Sequence, residues 1–287
     1  MKIHALEPRR IDPSRTITLR KAFWGKLFNG YKSIKSRIKK EVIENDAFGL
    51  DPNKNKQVEF AFNEYWAHLT TDAQIESFMT WLTGVVDDDL MQVDWHKKLI
   101  QDAYTKGVSR AYDDTNAGKT ATQDPMFSAG GKAGFLAQAF NQPETLSKVS
   151  VLFGQSYEAL KGVNAAMAAD MRRVLAEQLI KGASVDKVSK ALFDSVDGIT
   201  QRRARLIAQT EIIRAHAEGQ LDSFEKLGVE TLGALVEWGT ARDDRVCPLC
   251  QSLQGKKFTV KEARGKIPLH PGCRCTWIPV VPDSLKQ

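Results

Sequence analysis

Five residues near the C-terminal end could do chemistry together. Cys247-Pro248-Leu249-Cys250 is a CxxC pair, and His270-Pro271-Gly272-Cys273-Arg274-Cys275 follows after nineteen intervening residues. Two residues between cysteines let one tight turn present both sulfurs to a single ion, and the second cluster can complete a tetrahedron of soft ligands. Cys247, Cys250, His270, Cys273 and Cys275 are therefore candidate metal ligands, with five candidates for four positions. The expected ion is a structural zinc. Neighbouring Arg245, Lys256, Lys257 and Arg274 are expected to lower the cysteine pKa values. Disulfide pairing stays open if the protein ends outside a cell. Redox chemistry is disfavoured, because the CxxC lacks the βαβ setting of a thioredoxin-like motif. Catalytic metal is disfavoured, because a closed soft-ligand set leaves no position for substrate.

Other chemical candidates are weaker. Gly118-Lys119-Thr120 resembles the end of a phosphate-binding loop, but Asp113 stands where its first glycine should be, and no apolar strand precedes it. Nucleotide binding is discarded there. Glu211 could act as an acid or base, but no second carboxylate or nucleophile stands at an informative spacing. An ion pair with Arg214 is the better reading.

The elements that must position the cysteines follow from periodicity. Thr200 could cap a long helix with Leu206, Ile213, Ala217, Leu221 and Phe224 on its buried face, ended by Gly228. Before it, Asp197-Gly198 reads as a turn. Met167, Met171, Val174 and Leu175 mark an earlier helix, and Val185, Val188 and Leu192 another after a turn at Gly182. After Gly228, residues 235–240, 258–260 and 276–281 read as strands, the last kept to an edge or bulge by Pro279.

The first half reads as helical. From Thr16, the apolar positions Leu19, Phe23, Leu27 and Ile34 fit an amphipathic helix that Gly25 and Gly30 weaken. Val58, Phe62, Trp66 and Leu69 share a face after a break at residues 51–53. Thr71 with Gln74 reads as a capping box, and Leu99, Ala103 and Val108 support a further helix. The aromatic residues between Phe60 and Trp95 read as packing between helices. The expected class is α+β, mainly α: a helical N-terminal region, then helices and a small sheet around a zinc site. The expected divisions are a basic arm at 1–50 (its first fifteen residues an extended tail), a helical region at 51–116, a linker at 117–145 and a C-terminal domain at 146–287.

Composition agrees with a folded protein: 287 residues, 42% hydrophobic and 26% charged. No apolar run approaches the roughly 20 residues of a membrane-spanning helix, and no secretory signal opens the chain. The net charge of +6 is unevenly placed: residues 1–40 hold twelve Lys or Arg against two acids. Arg9, Arg10, Arg15, Arg20, Lys21, Lys32, Lys35, Arg37, Lys39 and Lys40 are candidate phosphate contacts for non-specific double-stranded DNA. The arm could equally dock on an acidic protein face.

The second half resembles the phage head morphogenesis family, the minor head proteins of the Mu F type. The resemblance rests on Arg203-Ala204-x-x-Ile207-Ala208-x-Thr210-Glu211-x-x-Arg214-Ala215 and on Trp238-x-Thr240-x-x-Asp243-x-Arg245-Val246-Cys247-x-x-Cys250. Leu253-x-Gly255-x-x-Phe258 and His270-Pro271-x-Cys273-Arg274-Cys275 complete it. It covers roughly residues 150–281, with Gly272 where the family often has a polar residue. It implies a non-enzymatic minor capsid protein of a tailed phage or prophage, present in few copies. Such a protein associates with the portal and assists head assembly, packaging or DNA delivery. Scaffold or major capsid proteins are further implied partners. The implied location is the head interior near the portal, with the bacterial host cytoplasm during assembly. Some relatives carry a C-terminal toxin module; with Gln287 twelve residues after Cys275, none is expected here. A zinc-containing DNA-binding protein or nuclease, using Asp243, Asp244 or His270, is the alternative.

Overall fold

A computed structural model describes residues 12–50, 71–116, 131–228 and 235–280. The expected break at 51–53 and the face Val58, Phe62, Trp66 and Leu69 lie outside the described residues, as do Arg9, Arg10 and Gly118-Lys119-Thr120. The described helices are α1 (Ile17–Lys39), α2 (Thr71–Leu90), α3 (Val93–Asn116), α4 (Gly131–Phe140), α5 (Pro143–Ile180) and α6 (Val185–Lys226). Strand β1 (Leu235–Gly239), the short α7 (Pro248–Leu253), β2 (Lys257–Phe258), the one-turn α8 (Val260–Ala263) and β3 (Thr276–Val280) follow. The class is α+β, mainly α.

Two compact units form, and neither is a continuous stretch of chain. One comprises Met1–Phe23, Asp94–Ser156 and Arg205–Gln287; the other comprises Trp24–Val93 and Tyr157–Ala204. Helices α1, α5 and α6 each contribute to both units. Residues 131–145 read as linker from their small residues. They instead form α4 and the start of α5, with Phe135 and Ala139 buried. Small residues lower helix propensity little when the apolar ones among them find a core.

The second unit is a helical core. Leu27, Ile34 and Ile38 of α1, Phe78 and Leu82 of α2, Met167, Met171 and Leu175 of α5, and Val188 and Leu192 of α6 are all fully buried. Gly30 is no weakness in this setting: a Cβ there would meet Leu90 Cδ2 at 2.3 Å. Its missing side chain lets α1 cross the end of α2. The expected turn at Asp197-Gly198 does not occur, since α6 runs unbroken through both residues. A mid-helix glycine costs roughly 1 kcal/mol, and the buried Leu192, Val196, Ala204 and Ile207 on either side outweigh it.

The first unit holds the cysteines. Helices α3 and α6 approach so closely that a Cβ on Gly107 would lie 2.1 Å from the His216 carbonyl oxygen. Reciprocally, one on Gly219 would lie 2.3 Å from that of Tyr104. Helix α6 then offers Ile213, Ala217, Leu221 and Phe224 to a core shared with Val236, Trp238, Trp277, Cys250, Cys273 and Cys275. The sheet is antiparallel in the order β2-β1-β3. Trp238 pairs with Trp277 across strands, and their rings meet edge to face at 5.4 Å, a geometry favoured by the ring quadrupoles. Pro279 sits on the edge strand β3, as its missing N–H requires. The second expected strand is shorter than its apolar run, because Thr259 caps α8 and draws Val260 into that helix.

Candidate metal centre

Two local structures bring the soft ligands together. Cys247 caps α7, its Sγ accepting a hydrogen bond from the Cys250 N–H at 3.3 Å, and Pro248 fills the first helical position. That position has no use for an N–H, so the proline costs nothing there. In the second cluster the Cys273 N–H bonds the His270 carbonyl at 3.1 Å, closing a tight turn. Gly272 supplies its positive φ of 79°, a conformation other residues adopt only with strain.

The turns meet in space. His270 Nε2 lies 3.2 Å from both Cys247 Sγ and Cys250 Sγ, and Cys250 Sγ lies 3.9 Å from Cys273 Sγ. Tetrahedral zinc with bonds of about 2.3 Å to sulfur and 2.0 Å to nitrogen has edges of about 3.8 and 3.5 Å. The cluster could thus hold a metal ion with little rearrangement. Two sets of three have their ligand atoms within 4.8 Å of one another, Cys247-Cys250-His270 and Cys250-Cys273-Cys275, and Cys250 belongs to both. All four cysteines are free thiols, and the 3.9 Å separation is nearly twice a disulfide bond of about 2.05 Å.

The imidazole is oriented for ligation. His270 Nδ1 lies 2.9 Å from the Pro271 carbonyl oxygen, so Nδ1 carries the proton and donates it. Nε2 is then a free lone pair aimed at the sulfurs, the arrangement of a metal-bound histidine with a carbonyl behind it.

Electrostatics around the sulfurs differ from the sequence expectation. The Cys250 N–H lowers the Cys247 thiol pKa. Hydrogen bonds from Cys250 and Cys275 hold Cys273 low, and the same contacts, with burial, push Cys250 up. Without a cation these close, buried sulfurs compete for protons, and only a divalent ion lets several ionise together. Arg274 has its pKa raised chiefly by Asp243 and secondarily by Cys275, and both Arg274 and Arg245 pair with Asp243. Arg274 donates to both Asp243 oxygens, at 2.5 and 2.7 Å, and Arg245 to one at 3.1 Å. Those cations hold the Asp243 carboxyl far below its ordinary range.

Helix α6 carries the site. Gln209 donates to the Gly272 and Cys273 carbonyls, and the Gly272 N–H donates to Thr210 Oγ1 at 3.0 Å. Gln220 fixes β3, accepting from Thr276 Oγ1 and the Trp277 N–H and donating to the Trp277 carbonyl. Arg264 reaches Glu218, Asp222 and Glu225, one per turn of α6. Glu211 pairs with Arg214, as its spacing suggested. Gln209 and Gln220 were not singled out from the sequence. No residue type marks a side chain whose role is to hold a backbone turn.

Residues 169–278 match a family model described as phage Mu protein F like protein. This stretch of the chain is similar to phage Mu protein F. The match supports the phage head morphogenesis family that the motifs suggested. No curated protein and no solved structure matches the chain. The Mu F-like segment takes in the last third of α5, all of α6, β1, β2, the first part of β3 and all five candidate ligands. No described helix is long and apolar enough to cross a membrane.

The candidate phosphate contacts of the arm are not gathered into one site. Arg15, Lys21, Lys32, Lys39 and Lys40 are exposed. Arg20 instead turns inward onto Asp12 at 2.5 Å, where Asp12 also accepts the Ile17 N–H at 2.8 Å and so caps α1. Lys35 pairs with Asp197 at 2.6 Å, and Arg37 approaches Asp88 at 3.4 Å. Three of the eight described cations are thus engaged within the protein.

Proposed function

We propose that this protein is a minor head protein of a tailed phage or prophage, joining assembling capsids through the portal and assisting packaging or delivery of the genome. One observation carries the reading: the Mu F-like match spans the whole of the helix-mounted Cys/His cluster. The family supplies the head; the portal contact and the location in the head interior are inferences from it. The role is non-enzymatic. Asp243, the carboxylate best placed to activate a water in a nuclease, is engaged by Arg274 and Arg245 as a clamp between the loop after β1 and the second ligand turn.

The ion in this reading is zinc, held by Cys247, Cys250, His270 and Cys273. An N/S ligand set at tetrahedral edges suits zinc over oxygen-seeking cations. It supplies a cross-link between the α7 turn and the turn before β3. The protein's own residues do the rest: Gln209 and Thr210 hold the second turn on α6, and Pro271 orients His270. The exposed lysines of α1 remain available for non-specific DNA, with affinity falling steeply as salt rises.

Co-expression with the portal protein of the same phage or prophage, followed by pull-down, tests the assignment. Retention of the portal is the expected result. Failure to retain it, together with normal virions in the protein's absence, contradicts the reading. DNA cleavage with added magnesium that vanishes in Asp243→Ala would favour the nuclease instead.

A further inference from the structure

Around the ligand turns the surface is apolar. Leu249, within the CxxC turn, is 66% exposed; Leu269, beside His270, is 41% exposed; Leu206 of α6 is 37% exposed. Pro248 and Pro271 are exposed as well. Leu249 adjoins Cys250 and Leu269 adjoins His270, whose Sγ and Nε2 are 3.2 Å apart. Leu206 abuts the same turn, since a Cβ on Gly272 would lie 3.0 Å from its Cδ2. These exposed leucines therefore sit on or against the two turns that meet at the candidate ligands.

That surface is built rigidly and set in positive charge. Gln209 and Thr210 fasten the turn that carries Leu269 and Pro271, so little further ordering is required on docking. Residues 235–280 hold eight Lys or Arg against four Asp or Glu. Asp243 is paired with Arg274 and Arg245, Glu262 lies in the Thr259 capping box, and Arg264 is paired along α6. Lys256 and Lys257 are exposed in the module, and Arg245 is exposed beside its bond to Asp243.

We propose that this face docks an acidic, amphipathic protein segment, the leucines taking its apolar side and the surrounding cations its carboxylates. An apolar centre within a charged rim is the anatomy of a protein interface. Duplex DNA, read through phosphates and base edges, would gain nothing from the leucines. The proposal goes beyond the head-protein reading by naming a surface and the chemistry of its partner.

The probe is a fluorescent synthetic helix of about five turns with leucines on one face and glutamates on the other, added to the full-length protein at about 0.15 M salt. Anisotropy should report binding. The double substitution Leu249→Ser and Leu269→Ser should weaken it at least about tenfold, the scale of losing interface anchors. Leu146→Ser with Val151→Ser, at exposed positions of α5, should leave it unchanged. In the unsubstituted protein, hydroxyl-radical labelling of Leu249 and Leu269 should fall when the peptide is added, a readout that needs no variant to fold. Equal binding of an acidic peptide without leucines, unchanged affinity in the double variant, or no protection of the two leucines would overturn the proposal. So would duplex DNA or phosphatidylglycerol vesicles that protect those leucines when the peptide does not. No phage protein enters the experiment, so its failure leaves the head assignment standing.

Discussion

His270 Nε2 stands 3.2 Å from Cys250 Sγ, and the contact joins two turns that lie twenty residues apart in the chain. Neither turn has a substantial core of its own. One is a single turn of helix capped by Cys247, and the other is a tight reversal seated on α6 by Gln209 and Thr210. An ion at their meeting point would complete what the helix begins.

The ligand set can be separated by substitution. Cys250 belongs to both spatial sets, whereas Cys273 and Cys275 each belong to one, and of these two Cys273 is the one whose Sγ lies 3.9 Å from Cys250 Sγ. Cys250→Ser should abolish stoichiometric metal binding, and Cys275→Ser should retain it, as measured by elemental analysis of the purified variants. Loss of metal in Cys275→Ser with retention in Cys273→Ser would exchange the roles assigned to the last two cysteines.

Close approach of α3 to α6 makes opposite forecasts for two glycines. Gly107→Ala places a methyl group against the His216 carbonyl and should destabilise the first unit by about 3 kcal/mol or more, the upper range of overpacking. Gly25→Ala, with nothing within 4 Å of the new Cβ, should stabilise α1 by up to about 1 kcal/mol. Urea unfolding checks both. Equal effects at the two sites would contradict the helix crossing described above.

Much of this was legible in the residues. The five candidate ligands, the apolar face of α6 and the strand positions follow from spacing alone, because each depends on local period or on short-range ligand geometry. Gly30 and Asp197-Gly198 were misread for a common reason. Local propensity opposes a helix at both, and the packing that overrides it comes from residues distant in sequence. Discontinuous units were invisible for the same cause, since α1, α5 and α6 are each periodic throughout and carry no mark where they pass from one core to the other. Arg20 shows the limit for charge: its composition reads as surface, yet Asp12, eight residues earlier, turns it inward.

Acid should weaken the first unit through His96. Its side chain is fully buried in the aromatic contacts of Phe23, Trp95 and Phe153, and its Nε2 lies 2.7 Å from Ser156 Oγ. Burial pulls its pKa down to about 4. Above about 6.5 the imidazole is neutral folded and unfolded, so pH has no effect through it. As pH falls from about 6.5 towards 4, the unfolded chain gains a proton that the folded chain refuses, and stability is lost, by up to about 3 kcal/mol. His96→Gln should make that part of a stability–pH profile shallower, the remaining slope belonging to His216, whose pKa burial also lowers. An unchanged profile would contradict the assignment.

Metal content of the purified full-length protein tests the central claim most directly. Mass spectrometry of the native protein, with elemental analysis beside it, should find about one zinc per chain. Chelation should then abolish the near-ultraviolet signal of Trp238 and Trp277, while most far-ultraviolet helical signal persists. A protein that binds no metal, with the module folded and its cysteines paired as disulfides, would contradict the account.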